Sequence, residues 1–169
     1  MTKKAMRVLG VDCGSRSTGF AVLESDGRRY KVLDFGAIQP KRVKTFADRL
    51  HYIHQELEKL VEEYQPTEVA VEQVFQAYNV KSAQHLGQVR GIVLLAAAKA
   101  GLPVAEYSAT LVKASVVGYG RAQKQQVQLM VQRILKLKEK PEPHDAADAL
   151  AVALCHIHHQ TFKPVKSSK

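Results

Sequence analysis

Residues Arg7–Asp12 read RVLGVD, a short apolar run with β-branched valines that closes on an acid. A glycine-containing turn separates it from Thr18–Glu24, TGFAVLE, and both segments have the length and composition of strands. Ser25-Asp26-Gly27 then marks a hairpin, because Asp-Gly accepts the positive φ angles of a two-residue connection. Arg28–Ile38 (RRYKVLDFGAI) is expected to return antiparallel as a third strand, so the chain opens as a β-meander.

Downstream the period changes. Between Thr45 and Tyr64 the residues Phe46, Leu50, Ile53, Leu57, Leu60, Val61 and Tyr64 fall on one stripe of a helix, which Pro66 stops. Glu68–Glu72 (EVAVE) follows as a compact strand, and the intervening helix allows a parallel crossover back into the sheet. Ser82–Ala100 is rich in Ala and Leu and ends at Gly101 with Pro103 beyond, the grammar of a helix C-terminus. Pro103–Tyr107 is the expected last strand. Thr110–Val117, a loop at Gly118-Tyr119-Gly120 and a helix over Gln123–Leu137 come next; Pro141 and Pro143 precede a final Ala- and Leu-rich helix over His144–His159. The order βββαβαβααα predicts the α/β class, a mixed five-stranded sheet flanked by helices.

With 169 residues, a single domain is expected over 1–169, its core about 7–158, followed by a basic tail about 160–169. Hydrophobic residues at 46% and charged residues at 24% exclude wholesale disorder. No window approaches the roughly 18 apolar residues of a membrane span, and no apolar segment follows Met1-Thr2-Lys3-Lys4, so a soluble cytoplasmic protein with no membrane partner is expected. Lys and Arg outnumber Asp and Glu by 25 to 16, a net +9 that favours a polyanionic partner. The excess is concentrated between Lys99 and Lys140, where eight basic residues face only Glu106 and Glu139. Cys13 and Cys155 stand far apart without C-x-x-C spacing, which argues against a disulfide framework or a thiolate zinc site.

Acids at the ends of apolar strands are costly to bury without a partner, and so ask for a cation. Asp12 ends the first strand and Glu72 the fourth; as parallel neighbours they would emerge at one sheet edge, where ligands of α/β folds bind. Asp145-Ala146-Ala147-Asp148 adds two carboxylates at i, i+3 on one helical face. Taken singly, Asp145 reads as a helix-dipole partner and Glu72 as a solvated strand end. Together, four oxygen-donor side chains suit Mg²⁺ or Mn²⁺ better than zinc, and two such ions about 4 Å apart would clamp the attacking and leaving oxygens of a phosphodiester during hydrolysis. A competing reading takes Asp12-x-Gly14-Ser15-x-Ser17-Thr18-Gly19, which resembles the phosphate loop of actin-like and sugar-kinase ATPases. Those enzymes resemble two related domains closing on a nucleotide, and this chain has the length of one.

The motifs GVDCGSRSTG (10–19), EQVF (72–75), LGQVRG (86–91), VKASVVGYG (112–120) and DAADALA (145–151) follow one another in the order of the RuvC family, and the chain resembles bacterial Holliday-junction resolvases of that family from about Arg7 to His158. The resemblance implies a ribonuclease H-like fold, a homodimer, and Mg²⁺-dependent symmetric nicking of four-way junction DNA in recombination and repair, leaving 5′-phosphates, with Mn²⁺ able to substitute. It also implies partnership with the branch-migration helicase proteins RuvA and RuvB. Carried over by motif, the catalytic and metal-binding carboxylates are Asp12, Glu72, Asp145 and Asp148, the set the strand-end argument also selects. Cys13 stands where the family usually has proline, which leaves the turn less rigid and oxidation-sensitive, and His144 beside Asp145 is a further ligand or acid/base candidate.

The resemblance places Lys113 and Lys124 near the scissile phosphate, where an ammonium would bind phosphate and stabilise developing charge, and Arg121 in the same basic window is a further DNA-binding candidate. Phe75, three residues beyond Glu72, is expected to wedge against unstacked bases at the junction centre, with Tyr78 assisting. The small residues of Ser82–Ala100 leave a face for a symmetry mate, which would bring two sites to opposing strands. Two other functions are open to such a chain: a junction-binding protein without catalysis, or another ribonuclease H-like nuclease acting on RNA or in transposition.

Overall fold

The computed structural model describes residues 5–73 and 79–161. Five strands, β1 (Met6–Asp12), β2 (Thr18–Ser25), β3 (Tyr30–Ile38), β4 (Glu68–Glu72) and β5 (Val104–Tyr107), form one sheet in the order β3-β2-β1-β4-β5. β2 is antiparallel to β1 and β3, whereas β4 is parallel to β1 and β5 parallel to β4. The helices are α1 (Phe46–Tyr64), α2 (Val80–Lys99), α3 (Ala109–Val117), α4 (Lys124–Ile134) and α5 (His144–Thr161). This is the mixed sheet with flanking helices that the element order predicts. Among the described residues no helix is long and apolar enough to cross a membrane.

The two-residue period of the strands sorts the core into two layers. Leu9, Val11, Val22, Val69 and Val71 pack with Ile53 and Leu57 of α1 and Val89 and Val93 of α2. Val8, Ala21, Leu23 and Ala70 pack on the other side with α3, α4 and α5. Covered on both faces, β1 and β4 are apolar along their centres, Val8–Val11 and Val69–Val71, and burying each Val, Leu or Ile contributes roughly 1.5–3 kcal/mol. The same alternation puts Asp12 and Glu72 on the α5 side, in phase with Val8 and Ala70.

α5 is the central helix. Its residues Ala146, Ala147 and Ala149 through Ile157 are all buried. It approaches β1 and β2 closely because glycines face it: a Cβ on Gly10 would collide with Ala149 and Ala153, and one on Gly19 with the Asp145 backbone. The alanines of α5 and these glycines together let the helix seat its first turn at the carboxyl end of β1.

Of the boundaries that differ from the sequence expectation, three have a clear local reason. The hairpin loop has four residues, Asp26–Arg29, since Ser25 pairs with Tyr30. Asp26 Oδ1 accepts from the backbone N–H groups of both Arg28 and Arg29 at 2.8 Å and holds them out of the strand. α4 stops at Ile134 rather than Leu137. Lys136 takes φ 53°, its N–H donates to Arg133 O and the Leu137 N–H donates to Gln132 O, a Schellman termination that turns Leu137 back onto the core. α2 begins at Val80, two residues before Ser82, because the Asn79 side chain accepts from the Ser82 N–H and caps the helix.

Candidate active site

β1 and β4 run side by side with Val11 opposite Val71, so the next residue of each, Asp12 and Glu72, stands at the same sheet edge. β5 continues the edge: Glu72 pairs with Tyr107, and the chain then turns through Ser108 into α3. The Ser108 side chain caps α3 by accepting from the Leu111 N–H at 3.2 Å. A cleft of about 550 Å³ opens there, lined by Asp12, Cys13, Glu72, Gln73, Ser108, Thr110, Lys113 and Lys124 among others. A smaller recess of about 180 Å³ adjoins it and adds Asp148. Asp145 lines neither recess, though its charge acts on both Asp12 and Asp148.

These acids disturb one another. The Asp12 carboxyl is pushed well above the ordinary carboxylate range, chiefly by burial, then by Asp148, Glu72 and Asp145, while Lys124 pulls it partly back. Glu72 is raised by burial and by Asp148, against Lys124 and Lys113. Asp148 is raised by burial; Lys124 opposes the rise, and His144, one helical turn earlier, opposes it less. Lys124 Nζ lies 3.4 Å from Asp148 Oδ2, and Asp148 in turn raises the Lys124 ammonium.

This environment fits a divalent cation. Several hard oxygen donors share one cleft, burial and mutual repulsion penalise their charged forms, and a cation relieves both costs. Among the described residues no three His, Cys, Asp or Glu side chains close around one point to hold an ion unaided. A hard cation that keeps waters and takes substrate oxygens into its shell needs only one or two carboxylates from the protein, so an open arrangement suits it.

Of the residues singled out in the sequence, Asp12, Glu72, Lys113 and Lys124 meet in the main cleft and Asp148 in the recess beside it. His144 is exposed in the first turn of α5. Arg121 is exposed in the loop between α3 and α4 and lines neither recess. Phe75 and Tyr78 lie outside the described residues. Cys13 is less reactive than its sequence context indicates, because burial and the neighbouring Asp12 push its thiol up to about 12 and keep it protonated. The turn it occupies is held by the Thr18 hydroxyl, which donates to Gly14 O at 2.7 Å.

Sequence reasoning placed Lys113 of α3 at the site but missed the amino end of that helix. Ser108, Ala109 and Thr110 bring the N-terminal end of α3 to the cleft wall, where backbone N–H groups and the helix dipole favour an anion. The available signal was Ser108, a capping residue two positions before Thr110.

The family model for crossover junction endodeoxyribonuclease RuvC matches residues 8–156. A curated RuvC of Geobacter sulfurreducens is 51% identical over 163 residues, covering 96% of this chain and 99% of that protein. A RuvC of Syntrophomonas wolfei is 49% identical over 153 residues, covering 90% and 89%. Thermus thermophilus RuvC, solved in complex with Holliday junction substrate, superimposes with a TM-score of 0.87 at 35% identity over 92% of this chain and 95% of that one. A match over nearly the whole chain, on a fold whose β1 and β4 bring two acids to one cleft edge, leaves one conclusion: the chain belongs to the RuvC family of crossover junction endodeoxyribonucleases.

Proposed function

We propose that this chain resolves four-way DNA junctions by hydrolysing one phosphodiester on each of two opposing strands, with Mg²⁺ as its cofactor, two ions per site, and Mn²⁺ as a substitute. The observation that carries the reading is the half-buried pair Asp12 and Glu72 on adjacent parallel strand ends, with Asp148 and two lysines in the same cleft complex. Asp12, Glu72, Asp145 and Asp148 are the residues to hold the cation, which when bound supplies Lewis-acid polarisation of the phosphate and activation of water. Lys113 and Lys124 face the same space and bind and orient the scissile phosphate, offsetting charge that develops on its oxygens. The amino end of α3 is placed to accept a neighbouring phosphate. Arg121 contributes to the surrounding positive field, and Phe75, from the sequence, serves as the wedge at the junction centre.

Symmetric cleavage calls for two sites. The exposed face of α2, with Gly87, Gly91, Leu95 and Ala98, is the surface we assign to the homodimer contact; a Cβ at Gly87 or Gly91 would meet nothing within 4 Å in the isolated chain. The protein acts as a single domain in the cytoplasm, with junction DNA as substrate and the RuvA and RuvB branch-migration proteins as partners. Incubating a synthetic junction and a linear duplex with the protein and Mg²⁺ tests this directly. The junction is nicked at paired positions, the duplex is spared, and Asp12→Asn abolishes the reaction. Undiminished nicking by that variant removes the site, binding without cleavage under any divalent metal supports a non-catalytic junction binder, and equal cleavage of an RNA·DNA hybrid supports another ribonuclease H-like activity.

A further inference from the structure

The sheet end that carries the cleft continues beyond it. β3 is antiparallel to β2, which is antiparallel to β1, so the last residue of β3, Ile38, pairs with Thr18 and emerges at the same end as Asp12, which pairs with Gly19. The connection to α1 leaves from there. It is an ordered turn: Pro40 is buried, the Lys41 N–H donates to Gln39 O at 2.8 Å, and Thr45 caps α1. Phe46, the first residue of α1, stacks on His85 of α2 with ring centroids 4.0 Å apart.

Lys41, Arg42 and Lys44 all project from this turn as exposed residues, and none forms an ion pair among the described residues. The nearest acid along the following helix, Asp48, is engaged by the Thr45 hydroxyl at 2.6 Å. Arg16, exposed in the β1–β2 turn, stands between this cluster and Asp12 in sheet order. Positive residues thus occur on both sides of the acidic cleft, Lys113 and Lys124 on α3 and α4, and this second set beyond β2. β3 lies two inter-strand spacings from β1, about 10 Å. With about 3.4 Å of rise per nucleotide in a strand, that is roughly three nucleotides along a duplex from a phosphate held over Asp12.

We propose that Lys41, Arg42 and Lys44 form a second phosphate-binding strip, which grips the backbone of a duplex arm on the side of the cleft away from Lys113 and Lys124. The proposal rests on DNA being the substrate of the cleft. Three like charges held together without acids in an ordered turn repel one another, and a polyanion laid across them removes that cost while releasing its own counterions.

The test compares two triple charge reversals in the full chain: Lys41→Glu with Arg42→Glu and Lys44→Glu, and Arg28→Glu with Arg29→Glu and Lys31→Glu. The second set changes net charge equally, is also exposed, and sits in the β2–β3 hairpin at the opposite end of the sheet. Affinity for a labelled four-way junction is measured across a salt series without divalent metal. The strip variant binds at least about tenfold more weakly than the hairpin variant, and its plot of log affinity against log salt is shallower by about 0.9 for each phosphate that is no longer neutralised. Equal affinities and equal slopes for the two variants overturn the proposal. Binding and nicking of the same junction by the unaltered chain show separately whether the underlying nuclease reading holds.

Discussion

Gly19 of β2 lies so close to Asp145 in the first turn of α5 that a methyl group on Gly19 would overlap the Asp145 carbonyl oxygen. The contact ties the strand next to Asp12 directly to the helix turn that bears Asp145 and Asp148. Gly19→Ala must lift that turn, because the obstacle is backbone and cannot rotate away. The expected result is a loss of about 1–3 kcal/mol in stability by urea denaturation, the usual cost of overpacking. Nicking of a junction is expected to fall about 100-fold in the folded variant, since an ångström of misplacement at a reacting centre has that effect.

The opposite end of α5 is pinned by a buried polar network. His156 is fully buried; its Nδ1 lies 2.7 Å from the Tyr107 hydroxyl and its Nε2 2.8 Å from Glu68 Oε2. With the Tyr107 hydroxyl donating to Nδ1 and the Nε2–H donating to Glu68, the ring satisfies both neighbours. Glu68 begins the strand that Glu72 ends, so these bonds set the register of α5 along β4. His156→Phe is expected to cost about 1–3 kcal/mol in urea denaturation because the Tyr107 hydroxyl loses its acceptor and Glu68 is left with the longer bond from Gln160, and Tyr107→Phe about 1 kcal/mol.

The raised carboxyls make a pH prediction with a definite sign. Asp12, Glu72 and Asp148 hold protons more tightly in the folded chain than in the unfolded one. Between the ordinary carboxylate range near about pH 4 and the raised values, the folded state binds more protons, so stability falls as pH rises through that window. In chelator, urea denaturation should show the protein losing stability from mildly acid to neutral pH, and Asp12→Asn should flatten the loss and gain on the order of 1 kcal/mol at neutral pH. Added divalent metal should stabilise the unaltered chain and leave the variant nearly unaffected.

Lys124 separates stability from catalysis. Its ammonium is largely exposed and only 3.4 Å from Asp148 Oδ2, so Lys124→Met should change stability by less than about 1 kcal/mol. In the proposed reaction its place on the cleft wall gives it a larger part: single-turnover nicking should fall about 100-fold, as when one charge-stabilising donor is removed.

The strand-end acids were legible in the sequence because VLGVD and EVAVE are continuous apolar runs, and a helix between them permits the parallel pairing that puts Asp12 beside Glu72. The i, i+3 spacing of Asp145 and Asp148 was equally plain, but their arrival at that edge depends on Gly10 and Gly19 admitting α5, which is a contact between segments remote in the chain. The Asp26 side-chain bonds that lengthen the hairpin, and the positive φ at Lys136, are choices that local pattern leaves open, since Arg28 and Leu137 suit a strand and a helix respectively. The amino end of α3 was hidden because Ser108 reads as an ordinary cap until β5 carries it to the cleft.

Binding of a divalent cation by acids from β1, β4 and α5 in one cleft underlies every catalytic expectation above, and anomalous scattering from crystals soaked in Mn²⁺ detects it. The expected map has manganese in the cleft, contacted by Asp12 and by Glu72 or Asp148, and loses that peak in Asp12→Asn. A cleft without manganese at concentrations that support nicking, or a peak that persists in Asp12→Asn, is incompatible with this site.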